Sequence, residues 1–275
     1  MSAGVRAPAA SQPPWLESLG NDLLATSRRQ RWRTLSRPIW LVAAYVIAAA
    51  CGHYWALPLI MVPLFLSVVT AAHDVVHGAL GLDRRGTEWA LALLGAVLFE
   101  SGHAYRWTHR RHHLVFPGSD DPEGAPAKGS WLGAILEAPC FLPRLWWWAF
   151  HRARGRRAER AWLLAEASWF LVAAVAAVVA LGRWPSASAY FAMALVGSWS
   201  YPLLTVHLPH RNYGDTPVSQ THTLRGRLVP RLLLELTYHL EHHLYPSVPS
   251  HNLPILSERL EPWLREQGVT PRRVP

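Results

Sequence analysis

Fifteen histidines stand in this 275-residue chain, and eight of them fall into three groups at helical spacing. His73 and His77 are four apart in HDVVH. His109, His112 and His113 lie three and four apart in HRRHH, and His239, His242 and His243 repeat that spacing in HLEHH. At 3.6 residues per turn each group projects its imidazoles from one helix face, so three helices can bring eight rings to one point. Imidazole is a borderline ligand that suits iron, zinc, copper or nickel. One zinc takes four ligands at most, so eight rings call for two metal ions. A lone HxxxH pair is ordinary on a polar helix face, but three such groups in order, two of them HxxHH, are not. HDVVH is also close to the HExxH of zinc proteases. Its Asp is one methylene short for a general base on a metal-bound water, and that reading leaves both HxxHH groups unexplained.

The elements that must carry these groups are largely apolar. Apolar residues make up 51% of the chain and charged residues 16%, against about 25% in a typical soluble protein. Together with 15 Trp and only 2 Cys, this excludes a disordered chain, a disulfide-stapled module and a coiled coil. The net charge of +9 comes from one Lys and 26 Arg. A basic protein binds nucleic acid or sits at a membrane with its basic loops in the cytoplasm. The apolar fraction and the Trp count favour the membrane, so no nucleic-acid partner is expected. Cys51, in an apolar run, reads as a small buried hydrophobe.

Hydropathy places helices at about 38–52 and 55–79, with a tight turn at Gly52-His53, Pro58 in a first turn and Pro63 as a kink. Residues 86–100 and 130–150 read as half-buried or interfacial helices, with Trp131, Trp146, Trp147 and Trp148 at headgroup depth. Residues 161–182 and 187–206 are clear spans. Four spans in two hairpins put 26 of the 27 basic residues on one side; by the positive-inside rule that side is the cytoplasm, and both termini lie there. The expected organisation is all-α and integral to the membrane, with a disordered basic segment 1–37, a membrane domain 38–255 and a cytoplasmic tail 256–275. No apolar stretch follows Met1, so no cleavable signal peptide is expected. A site without carboxylate or thiolate bridges, beside a bilayer, fits di-iron oxidative chemistry better than hydrolysis.

The motifs HDVVHG (73–78), HRRHH (109–113) and HLEHHLYPSVPSHNLP (239–254), with two spans between the second and third, resemble those of the integral-membrane fatty acid desaturase superfamily. That group also holds related hydroxylases and the carotenoid ketolases and hydroxylases. The resemblance covers roughly residues 38–255. It implies a four-helix membrane stalk under a cytoplasmic helical cap, with two irons held by histidine nitrogens and O2 as co-substrate. It also implies a further ligand just after the fourth span, in VHLPHR (206–211). His210 comes first, because LPHR is similar to the carotenoid ketolase branch, and His207 is a near equal. The implied reaction is acyl-chain desaturation, with carotenoid ketolation or hydroxylation and fatty acid hydroxylation as alternatives on the same fold. The LEHHLYPSVPSHNLP ending resembles bacterial acyl-lipid desaturases, which points to a bacterial inner membrane and a lipid or carotenoid substrate from the bilayer.

Other polar residues have weaker claims. Asp74 is either an acceptor behind an imidazole or a solvated side chain. His103 is either a partner behind the ligands or a residue at a substrate mouth, and His222 and His251 are fainter versions of the same reading. Glu241 lies off the ligand face. Glu100 and Glu166 border apolar segments, where an ionisable group is a functional suspect, although Glu166 is near enough to the cytoplasmic end to snorkel. Pro63, Gly95, Gly102 and the Trp-rich 131–148 are expected walls of a substrate tunnel. The chain has no HPGG, CxxC or GxGxxG signature, so electrons must come from a separate donor, a ferredoxin with its reductase. The basic segment 152–160 would suit an acidic donor. A metal or proton transporter is the reading from a different class. Its site should lie within the spans, near the midplane, whereas these histidines fall at or beyond their ends.

Overall fold

The computed structural model describes residues 12–275. It forms two compact units, residues 26–211 and residues 12–25 with 212–275.

In the larger unit the first long helix starts at a capping box. Ser27 Oγ accepts from Gln30 N at 3.2 Å, and Ser27 N donates to Gln30 Oε1 at 2.8 Å, which satisfies two of the helix's unpaired donors. Helix α1 therefore spans Arg28–Ala50, about ten residues longer at its start than hydropathy implies, because the cap and not the onset of apolar residues sets where a helix begins. The disorder expected over 1–37 does not hold for 28–37, and that part of it on residues 1–11 lies outside the described residues. Gly52, at φ +75°, makes the tight turn, and α2 follows over Leu57–Val76 with Pro58 in its first turn and Pro63 inside. Cys51 caps α1 and is exposed, not buried as expected, because it sits on this outer turn.

Helix α3 (Arg84–Leu98) is capped by Asp83, and α4 (Gly102–Val115) by Ser101. Then come α5 (Trp131–Arg152), α6 (Arg157–Ala180) and α7 (Pro185–Ser198). A π-helical stretch at Pro202–His207 follows, a rare form that is frequent at functional sites. Among the described residues, three segments are long and apolar enough to cross a membrane: Tyr54–Val76, Arg157–Ala180 and Pro185–His207. The fourth expected span, on α1, is not among them. Arg28, Arg29, Arg31, Arg33 and Arg37 occupy its first half, and the apolar remainder, 38–50, is about 20 Å long against a hydrocarbon core of ~30 Å.

The core of this unit is a stripe on α2: Leu57, Met61, Leu64, Val68, Ala71 and Val75 are all buried. They alternate steps of four and three, the spacing that keeps one helix face against its neighbours. Leu91, Leu94 and Leu98 of α3, Tyr45 of α1 and Ala194 of α7 meet it. Outward, α6 exposes Leu171, Val172, Val175, Val178 and Val179, a continuous apolar surface that fits lipid and not water.

Small residues let α3 and α4 pack backbone to backbone. A Cβ on Gly102 would lie 2.3 Å from Leu91 O, and one on Gly95 would lie 2.5 Å from Glu100 O. These glycines are points of close approach. Pro63, Trp131 and Trp147 are exposed on the outer surface.

In the smaller unit, α8 (His239–Leu244) and α9 (Leu253–Glu266) pack Leu240, Leu253, Leu256, Leu260 and Leu264 around Leu23. Asn252 Nδ2 donates to Leu23 O and Ala25 O, Tyr245 Oη to Pro14 O, and Arg259 pairs with Asp22. The segment 12–25 is thus tied to the C-terminal residues, and 256–266 is part of a packed helix and not of a free tail. One parallel strand pair, β1 (Leu224–Arg225) with β2 (Arg272–Arg273), departs from the all-α expectation.

Gly102→Ala should lower the thermal midpoint in detergent by the equivalent of at least ~1–3 kcal/mol, because backbone cannot yield as a side chain does. Gly182→Ala, which meets nothing within 4 Å, should leave the midpoint unchanged.

Candidate metal centre

The larger unit contributes histidines from α2, α4 and the end of the π-helical segment. His73 and His77 close α2, one turn apart, and His109, His112 and His113 lie in the second half of α4. His73, His77 and His109 offer ring nitrogens within 4.8 Å of one another, as do His112 and His210. Ring centroids are 5.1 Å apart for His73 and His77, and 5.2 Å from each of these to His109. His113 lies 4.7 Å from both His77 and His109. Two pairs of nitrogens face each other directly: His109 Nε2 and His113 Nε2 at 3.2 Å, and His112 Nε2 and His210 Nε2 at 3.1 Å.

Protonation would set like charges against each other here. Burial, then the neighbouring imidazoles, hold His77, His109 and His113 below the usual histidine range. The rings are therefore neutral at neutral pH, which is the form that binds a metal.

Carboxylates behind the rings decide which nitrogen carries the proton. His112 Nδ1 lies 2.8 Å from Asp121 Oδ2, and His109 Nδ1 lies 3.1 Å from Glu123 Oε2. With Nδ1–H donating outward, the Nε2 lone pair faces the other rings. Burial raises Asp121, but its hydrogen bond and attraction to His112, with the Glu123 and Gly124 amides, hold it below the usual carboxylate range. Burial pushes Glu123 up to about 7. Neither acid belongs to a histidine motif, and sequence reading passed over both. The available signal was an acidic run, SDDPE (119–123), separated by five residues from the end of HRRHH in a chain with only 18 acidic residues.

The two rivals after the last span separate clearly. His210 is fully buried, opposite His112 and against the Phe116 ring at 4.3 Å. His207 Nδ1 donates to Pro126 O at 2.9 Å, and its ring is not among the grouped nitrogens. Asp74 is buried beside His73, with 3.9 Å between Oδ1 and Nδ1, longer than a hydrogen bond. Tyr105 stacks on His109 at 4.8 Å.

His103 does not stand behind a ligand. It is fully buried, with Nδ1 2.7 Å from Glu166 Oε1 and Nε2 2.8 Å from Glu88 Oε2, and it stacks on Trp162. Both ring nitrogens thus face a carboxylate. Arg106 extends the network to Glu88 and Glu159, and Ser101 Oγ donates to Glu166 at 2.5 Å. Glu166 therefore turns inward and does not snorkel. The network ties α3, α4 and α6 together and so fixes the helix that carries HRRHH. Glu100 is pushed up to about 8 by burial, and Tyr201 Oη donates to it at 3.2 Å.

In the smaller unit, His239 and His243 of α8 have centroids 4.6 Å apart, and His242 lies about 6 Å from each, so the third group shares one helix face. Glu241 points elsewhere, as its place in the motif implies, and accepts from Arg225 and Ser257. His222 is half-buried ahead of β1.

The family model described as fatty acid desaturase matches residues 52–275. No curated protein matches the chain.

His103→Leu removes a partner from the buried Glu166 carboxylate, while half-buried Glu88 keeps Arg106, and should cost about 3–5 kcal/mol, read as a lower unfolding midpoint in detergent. Adding Glu166→Gln to His103→Leu should recover part of that loss.

Proposed function

The chain belongs to the fatty acid desaturase family, and from that premise we propose that it is a membrane di-iron oxygenase that desaturates an acyl chain. In the overall reaction –CH2–CH2– and O2, with two electrons and two protons, become –CH=CH– and two waters. The observation that carries the reading is the two groups of ring nitrogens, with Nε2 of His109 and His113, and of His112 and His210, turned toward each other. Such a donor set fits iron, is too large for one zinc, and lacks the thiolate that would favour a soft metal. Two bound irons would supply the oxidising power that an unactivated C–H bond requires.

The chain's own residues hold and enclose that centre. The proposed ligands are His73, His77, His109, His112, His113 and His210, with His239, His242 and His243 entering on their sequence pattern and family membership, and His207 as a reserve. Tyr105 and Phe116 lay ring faces against His109 and His210, which limits the water that reaches them. Burial at Glu100 favours its protonated form. In the proposed topology α1 is a fourth membrane segment whose basic first half stays in the cytoplasm and whose apolar remainder enters the bilayer beside α2, and the site and both termini lie on the cytoplasmic side of a bacterial inner membrane. The support is the charge distribution, with 26 of 27 basic residues on one side.

Electrons are proposed to come from a ferredoxin and its reductase. Arg154, Arg156 and Arg157 are exposed together, and the Arg156 guanidinium lies 4.8 Å over the Trp107 ring, two residues from His109. Such a basic patch suits an acidic donor.

Carotenoid ketolation or hydroxylation on the same fold is the second reading. One observation favours it: the histidine of LPHR, His210, is the one whose ring meets another imidazole.

Expression of the chain in a bacterial host should yield a lipid with two hydrogens fewer, and the His112→Ala variant should yield none. Gain of an oxygen on a lipid or pigment would instead establish the second reading. Substrate oxidation that proceeds unchanged without O2 would end both, and ion flux in vesicles without oxidation would favour transport. Arg156→Glu with Arg157→Glu should raise the donor KM several-fold while iron is retained; an unchanged donor KM would remove the docking patch.

A further inference from the structure

The run SDDPEG (119–124), with Pro126 just beyond it, leaves α4 and folds back beneath it. Its outer acid, Asp120, pairs with Arg111 of α4 and Arg152 of α5, which pins the loop. Gly124 is required where it stands, because a Cβ there would lie 2.5 Å from Asp121 Oδ2. The next two acids point inward, and their side chains are 0% and 7% exposed.

Every oxygen of these two acids with an assigned contact has a task. Asp121 Oδ1 accepts from Glu123 N at 2.9 Å, which leaves Oδ2 on His112 Nδ1. Glu123 Oε1 accepts from Thr108 Oγ1 at 2.7 Å, which leaves Oε2 on His109 Nδ1. The rings they hold aim in different directions. His112 Nε2 faces His210, whereas His109 Nε2 faces His113, and the His109 ring is grouped with those of His73 and His77. One short loop therefore reaches both groups of imidazoles, with one acid for each.

We propose that Asp121 and Glu123 are positioning residues with a division of labour. Asp121 orients the ligand of the metal position at His112 and His210. Glu123 orients the ligand of the position at His73, His77 and His109. The inference rests on the two-iron reading above. A carboxylate behind a ligating imidazole fixes its tautomer and raises its donor strength, and loss of such a partner typically weakens metal binding about 10–100-fold. With one acid per position, each loss should fall on one iron.

The test uses the full-length protein, purified in detergent from cells grown on 57Fe, with total iron and Mössbauer spectra as readouts that do not depend on turnover. The unaltered chain should hold about two irons. Asp121→Ala should drop to about one, and Glu123→Ala should drop to about one with the other spectral component lost. Asp121→Asn keeps an oxygen acceptor for His112 and should restore the lost iron. Two irons retained in both alanine variants would overturn the proposal while leaving the di-iron reading intact, as would loss of the same component in both. An unaltered chain without iron would overturn that reading and this inference together. If the alanine variants do not fold, Asp121→Asn and Glu123→Gln decide. The quadrupole splitting of one component should move in the first and of the other in the second; the same change in both would overturn the assignment.

Discussion

The hydrogen bond from a ring Nδ1–H to a buried oxygen is the interaction on which the rest of this structure depends. Without it an imidazole can turn either nitrogen inward, and a crowd of such rings presents no defined set of lone pairs. His109 and His112 are locked by Glu123 and Asp121, and the inward Nε2 atoms then meet those of His113 and His210 at 3.2 and 3.1 Å. Burial reinforces this geometry, because it depresses the protonated form of rings already crowded by one another. His109 and His113 are thereby held as neutral donors, the form that a divalent cation would require.

Such a centre needs rigid helices, and the means of rigidity differ along the larger unit. Within the apolar segments there is little hydrophobic drive between helices, so close packing and small residues do the work. The α2 stripe, the Gly95 and Gly102 contacts, and Gly197 facing Phe65 belong to this class. Nearer the histidines, charge takes over. The His103 ring between Glu88 and Glu166, extended through Arg106 to Glu159, joins three helices by side-chain bonds. A network of this kind is costly to break at one member, and that makes α4, which carries three of the histidines, a fixed platform.

The smaller unit uses the same means for its own histidines. Glu241 is fully buried inside the HLEHH motif, yet it is occupied by Arg225 and Ser257. That anchors α8 from the side opposite to its histidines. The segment 12–25 is stitched to the same unit through Asn252, Tyr245 and Arg259, so residues near the two ends of the chain share one core.

Much of this was legible in the chain alone, for periodic reasons. Spacings of three and four mark a helix face whatever surrounds it, so the three histidine groups and the long apolar helices could be read directly. The bias in Arg placement is likewise a count that needs no coordinates. Helix starts were read late where hydropathy stood in for capping: Ser27 and Gln30 begin α1 amid its basic residues, and the disorder expected there was the consequence. The acidic run that holds Asp121 and Glu123 could be seen, but the pairings of these two acids and of His103 were out of reach. Each is defined by a partner 9, 14 or 63 residues away, and no local pattern encodes which acid meets which ring. The same holds for His210 against His207, where a π-helical turn and the carbonyl of Pro126 separate two residues three apart. Sequence settles what repeats along one helix; which nitrogen faces inward is decided by the groups that packing places behind it.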